Sequence, residues 1–139
     1  MRDSKFQAQN QFPTVLLTLI SIIQALALEL LWNKVSESSF LYEFSTSALI
    51  AWGMVSVGLM GVLAIWVMYS TMLIGFTWRP RIQDSILPFV IGIQEFCLIA
   101  LISEDFNVMW LYVLASVFFV GNWISHSTFV RARVDKSNA

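Results

Sequence analysis

The sequence predicts an all-α integral membrane protein, a bundle of four transmembrane helices that forms a single domain over residues 1–139. Of its 139 residues, 58% are hydrophobic and only 12% are charged, whereas soluble domains average about 25% charged residues. Four apolar stretches, at residues 12–32, 47–76, 85–103 and 108–129, each approach or exceed the ~20 residues that a helix needs to cross the hydrocarbon. Runs of this length exclude the alternating strands of a membrane barrel. Helices are then the structure that satisfies the backbone hydrogen bonds within the membrane.

The first apolar stretch carries two polar side chains, Gln24 and Glu29. At 1.5 Å per residue from Phe12, Gln24 lies about 18 Å along the helix, just past the midplane. Glu29 lies about 25 Å along it, near the outer interface that Trp32 marks. Residues 25–27 also fit a signal-peptide cleavage site, but the apolar run continues beyond them, which favours a transmembrane helix.

The second stretch is longer than one membrane thickness. As a helix, residues 47–76 would extend about 45 Å, against ~30 Å of hydrocarbon. Trp52 and Tyr69 are separated by about 26 Å of helix, close to one thickness, so we expect the helix to continue past Tyr69 toward Gly75. Its small residues predict that this helix packs most closely against its neighbours. The preceding loop, 33–46, is amphipathic and suits an anchor on the outer membrane surface or a lid.

A basic turn, residues 78–81, connects the second and third stretches. Pro80 ends the helix before it. Arg79 and Arg81 form a pair that suits a lipid phosphate group, although their contribution to membrane topology alone also explains them.

The third stretch carries the adjacent polar side chains Gln94 and Glu95. Glu95 lies about 14 Å along the helix, close to the midplane, and shares one helical face with Asp84. A carboxyl group at this depth is costly and needs a partner or a function. Because no Lys or Arg lies at the same depth, we expect Glu95 to be a neutral acid bonded to Asn122 or Gln24.

The fourth stretch adds Asn122 and His126, which share a helical face with Ala115 and Phe119. Asn122 lies about 9 Å from the cytoplasmic boundary and His126 close to it. His126 and Asp84 are therefore expected at a cytoplasmic mouth, where a histidine is suited to relay protons. A solvated interfacial histidine is the alternative.

The basic residues follow the positive-inside pattern. Seven of the eight Lys and Arg residues lie before the first stretch, between the second and third, or after the fourth, and only Lys34 lies elsewhere. We therefore expect both termini in the cytoplasm, and a bacterial inner membrane as the location. Topology accounts for these charges, so we expect no nucleic-acid partner.

The polar side chains sort into a midplane level and a cytoplasmic level. The candidate proton or substrate site comprises Glu95, Gln94, Asn122 and Gln24, and the cytoplasmic mouth comprises Asp84 and His126. One histidine and one cysteine, Cys97, are too few ligands for a metal site. No catalytic motif or phosphate-binding loop is present, so we expect no cofactor.

Three classes of function fit this pattern. The first is a proton-linked transporter or channel subunit; because four helices are few for a pore, it implies a homo-oligomer or a membrane partner subunit. The second is a non-catalytic membrane scaffold or accessory subunit, in which the polar groups only fix helix packing. The third, a lipid- or quinone-processing enzyme, has the least support from the residues.

Overall fold

The computed structural model describes residues 2–76 and 81–134, with side chains from residue 11 onward, and this part of the chain is almost entirely helical. The long helices are α1 (Arg2–Glu37), α2 (Thr46–Gly75), α3 (Ile82–Ala100) and α4 (Val108–Val134), and a 3-10 turn spans Ser39–Tyr42. Those residues contain no strand, which confirms the all-α prediction.

Each of the four helices is long and apolar enough to cross a membrane. The candidate spans are Gln11–Glu37, Thr46–Gly75, Ile82–Ala100 and Val108–Val134. Many large apolar side chains on them are exposed, as expected where lipid rather than water surrounds a bundle. The fold is therefore that of an integral membrane helical protein.

The helix ends differ from the apolar stretches because hydropathy marks what lies in lipid, not where backbone hydrogen bonding stops. Helix α1 extends beyond residues 12–32 at both ends, and α4 continues past residue 129 to Val134. Helix α3 begins earlier than predicted, since the Asp84 carboxylate accepts the Arg81 backbone N–H at 2.9 Å and caps it. The predicted continuation of α2 past Tyr69 to Gly75 is confirmed.

The 33–46 segment folds back on the end of the bundle. The first residues of this segment, as far as Glu37, belong to helix α1, and Leu41 is buried in the 3-10 turn that follows. The Trp52 indole N–H of α2 donates to the Leu41 carbonyl oxygen at 2.8 Å. Phe44 is fully exposed.

Helices α1 and α3 form the centre of the packing. Helix α1 contacts both α2 and α3, whereas α4 packs mainly against α3. One apolar cluster contains Ala27, Ala51 and Ile102, and a second contains Ile20, Ile91 and Ile124. Within the described residues the backbones of α2 and α4 scarcely approach one another. Side chains such as Met68 and Ser125 meet between them, beside a cleft that both helices line.

Among the described glycines, the tightest surroundings belong to Gly92 of α3. The prediction that α2 packs most closely against its neighbours stays a prediction, although α2 does pack extensively against α1. A Cβ added at Gly92 would meet Ile23 Cγ2 of α1 at 2.6 Å. Gly53, Gly61 and Gly75 of α2 have nothing within 4 Å of such a Cβ. Small residues permit close approach, but which helix uses them depends on rotation about the helix axis.

Candidate functional site

The carboxyl group of Glu95 lies in the interior of the helix packing. Glu95 and Gln24 are each only 3% exposed, and Gln24 Nε2 of α1 donates to Glu95 Oε2 at 2.8 Å. Of the two partners expected from the sequence, the structure selects Gln24. Glu95 Oε1 and Gln24 Oε1 are buried and accept no hydrogen bond within the described part of the chain.

Glu95 also contributes to the floor of the cleft between α2 and α4. This cleft has a volume of about 580 Å³ and is lined by residues within 57–68 of α2 and 114–125 of α4, with Glu95, Leu98 and Ile99 from α3. Its lining is almost entirely apolar. Glu95 is the ionisable residue among the described residues that line this otherwise apolar space, whose volume is that of a pocket for a drug-sized ligand.

Gln94 turns away from Glu95 toward α4. Its Nε2 donates to Ser116 Oγ at 3.0 Å, and Ser116 Oγ in turn donates to the Val113 carbonyl oxygen at 2.7 Å. Adjacent residues on a helix point about 100° apart, so Gln94 joins α3 to α4 while Glu95 joins α3 to α1. The structure therefore does not bring these two predicted site residues together in one hydrogen-bond network.

The predicted polar face of α4 points outward. Ala115, Phe119, Asn122 and His126 are all exposed, and α4 instead buries Trp110, Ile124, Thr128 and Ala132. Asn122 does not bond to Glu95 as the sequence allowed. It lies at the rim of the cleft with Glu95, and it also lines a neighbouring pocket of about 490 Å³ with His126.

Asp84 is occupied by an ion pair that the sequence did not predict. Two guanidinium nitrogens of Arg131 in α4 donate to the Asp84 carboxylate. Nη2 donates to Oδ1 at 2.9 Å, and Nη1 donates to Oδ2 at 3.1 Å. Asp84 and His126 do line one pocket of about 500 Å³, as expected for a shared mouth. Because both oxygens of Asp84 already accept guanidinium hydrogen bonds, this carboxylate is poorly suited to relay a proton.

A signal for that ion pair was present in the sequence. Helices α3 and α4 are joined by a short connection and must run antiparallel. An acid in the first turn of one, Asp84, and a base in the last turn of the other, Arg131, therefore fall at the same level.

Of the two arginines predicted to bind a lipid headgroup, one lies within the described residues. Arg81 is exposed and borders the pocket that contains Asp84 and Arg131. Arg79 lies outside the described residues. Arg131 lines the same pocket.

The site is therefore a set of polar side chains on α3, each directed to a different neighbour. Within the described residues no group of three or more His, Cys, Asp or Glu side chains is placed to hold a metal ion. The chemistry available at Glu95 is hydrogen bonding, ion pairing and proton exchange.

Fold and site together define a small helical membrane protein with a buried carboxyl group beside an apolar cleft. The comparison with protein-family models gave no match, and the comparisons with curated proteins and with solved structures gave no significant match either.

Proposed function

We propose that this protein is a proton-linked transporter, or a subunit of a channel, that uses Glu95 as its exchanging group. The observation that supports it is the position of Glu95, buried against Gln24 yet on the floor of the cleft between α2 and α4. Intramembrane carboxyl groups are expensive to keep, and they commonly mark ion or proton pathways.

The chemistry follows from the two oxygens of the carboxyl group. Gln24 fixes Oε2 from the α1 side, while Oε1 has no partner in the described residues. In an apolar site the carboxyl group is neutralised either by a proton or by a positively charged substrate. Alternation between these two states would couple substrate movement to proton movement.

The proposed proton route passes Asn122 and His126. Asn122 borders both the cleft of Glu95 and the pocket that contains His126, and His126 in turn borders the pocket near the end of α4. The basic residues favour a cytoplasmic position for this end and for both termini. The proposed location is a bacterial inner membrane.

The proposal is tested with proteoliposomes that contain a pH-sensitive dye and are exposed to panels of organic cations, organic anions and metal ions. We expect the wild-type protein to change the internal pH with at least one class. Glu95→Gln keeps the shape of the side chain but cannot release a proton, so its response should fall to that of empty liposomes. The matched control is Glu29→Gln, the same change at an exposed position of α1, which should respond like the wild type.

A wild-type response that persists unchanged in Glu95→Gln contradicts the proposal, as does the lack of a wild-type response to every class. Correct folding of each variant is checked by its elution volume and its thermal unfolding in detergent. Gln24 still has a hydrogen-bonding partner in Glu95→Gln, so we expect this variant to fold.

A membrane scaffold or accessory subunit is the second candidate, and the outward face of α4 favours it. Asn122 and His126 are exposed there beside Phe119 and Trp123. A polar amide on a lipid-facing surface gains hydrogen bonds when another helix covers it, so a second copy or a partner subunit is the proposed neighbour. A scaffold would give no dye response, and Glu95→Gln would then alter only stability.

A further inference from the structure

Of the described residues that line the cleft between α2 and α4, one is ionisable, Glu95, and almost all the others are apolar. Its remaining polar lining is Asn122 at the rim and Ser125. The Ser125 hydroxyl is already engaged with Met68 Sδ at 2.9 Å. A ligand in this space would thus be solvated by apolar side chains and meet a single acidic group.

The carboxyl group of Glu95 is incompletely satisfied. Gln24 holds Oε2, and Oε1 is a buried acceptor with no donor in the described residues. Among the described residues, no Lys, Arg or His lines the cleft. The missing interaction is therefore a positive charge or a hydrogen-bond donor, and no described side chain in the walls of the cleft donates to Oε1.

We infer that the cleft binds a lipophilic monovalent organic cation, which replaces the proton of Glu95. The volume of about 580 Å³ lies within the range of pockets that hold drug-sized ligands. A metal ion is a poor fit, because hard cations need six or more oxygen ligands. This inference rests on the proposed function, because it names the substrate class of the same site.

Two glycines leave room in the cleft and offer a test that spares Glu95. Gly61 on α2 and Gly121 on α4 both line it, and nothing lies within 4 Å of a Cβ placed at either. A larger side chain at Gly61 would occupy the ligand's space. Gly53 on the same helix is equally open but does not line the cleft, so it provides a matched control.

The experiment measures binding of tetraphenylphosphonium to the purified full-length protein by equilibrium dialysis, with tetraphenylborate as the anion of the same shape. We expect saturable binding of the cation and at least tenfold weaker binding of the anion. As the pH is lowered and protons compete for Glu95, cation affinity should fall by up to about tenfold per pH unit. Glu95→Gln and Gly61→Leu should each weaken binding at least tenfold, and Gly53→Leu should not.

The inference is overturned if the borate binds as well as the phosphonium ion, if binding is independent of pH, or if Gly61→Leu binds like the wild type. Equal occupancy by both ions would show that the cleft accepts any apolar molecule, lipid chains included. Binding that requires Glu95 without any dye response in proteoliposomes would support the inference and refute transport. Proton movement with other compounds, while tetraphenylphosphonium neither binds nor competes, would support transport and refute the inference.

Discussion

Asp84 and Glu95 are buried acids on one face of α3, and their partners separate their roles. Asp84 meets a guanidinium group and also caps the helix, so its negative charge is fully compensated. Within the described residues Glu95 bonds to the Gln24 amide, which stabilises it by hydrogen bonding but supplies no charge. Two residues of similar chemistry thus differ in their partners, because one forms an ion pair and the other a hydrogen bond to a neutral group.

Gly92 is the residue whose size is fixed most tightly by the packing of α1 on α3. Gly92→Ala would place a Cβ 2.6 Å from Ile23 Cγ2, and the branched Ile side chain has little freedom to move away. We expect a loss of about 1–3 kcal/mol in the free energy of unfolding, typical of overpacking. Denaturation in mixed micelles, followed by circular dichroism, measures it.

Gly53→Ala is the control for that experiment, since its Cβ would lie in open space. Alanine is the better helix former by about 1 kcal/mol, so this variant should be no less stable than the wild type. Combining Gly92→Ala with Ile23→Ala removes the clashing methyl group. The loss in the free energy of unfolding of the double variant should then be smaller than the sum of the losses of the two single variants. Strict additivity would show that the contact does not limit packing.

Helix α4 is the most peripheral element, and polar side chains of α3 hold it. It packs mainly on α3, bonds to Gln94 through Ser116 near its middle, and pairs with Asp84 through Arg131 near its end. Its outer face is exposed. Ser125 of α4 also contacts Met68 of α2 at 2.9 Å, so a movement of α4 relative to α2 would break this contact and change the width of the cleft.

The attachment of α4 is tested by Arg131→Gln, which leaves Asp84 buried without its cation. We expect a loss of about 1–3 kcal/mol in the free energy of unfolding, the usual cost of an orphaned hydrogen bond to a charged group. Arg133→Gln removes the same charge from an exposed position two residues away and should change stability little. In the double variant with Asp84→Asn, the losses should be clearly less than additive; additive losses would mean that the ion pair contributes no stability.

At the scale of the whole molecule, the distribution of charge is expected to set the orientation of the bundle. Four acidic residues lie at the end of α1 or in the connections α1–α2 and α3–α4, namely Glu37, Glu43, Glu104 and Asp105. Seven of the eight basic residues lie elsewhere in the sequence, before residue 12, within 79–81 or after residue 130. Insertion favours the basic side in the cytoplasm. The cleft and its proposed proton route would then lie on a path that begins at the cytoplasmic end of α4.

Orientation is tested by cysteine labelling in a Cys97→Ala background, which is needed because Cys97 is exposed. Ser38→Cys should react with a membrane-impermeant maleimide added outside intact cells. Ser137→Cys should react only after the membrane is permeabilised. Labelling of both positions from the same side would contradict the three crossings, by α2, α3 and α4, that the four-helix arrangement places between them.

The sequence by itself determined the class of protein, because hydropathy and length are properties of a stretch and need no partner. It also placed Glu95 and Gln24 at similar depths, since depth follows from counting residues along a helix, and it left Gln24 and Asn122 as the two possible partners of Glu95. Rotation about each helix axis depends on side-chain packing between helices, which no single stretch encodes. Only the tertiary structure therefore decided that Asn122 faces outward, that Gly92 makes the close contact, and that Arg131 takes Asp84.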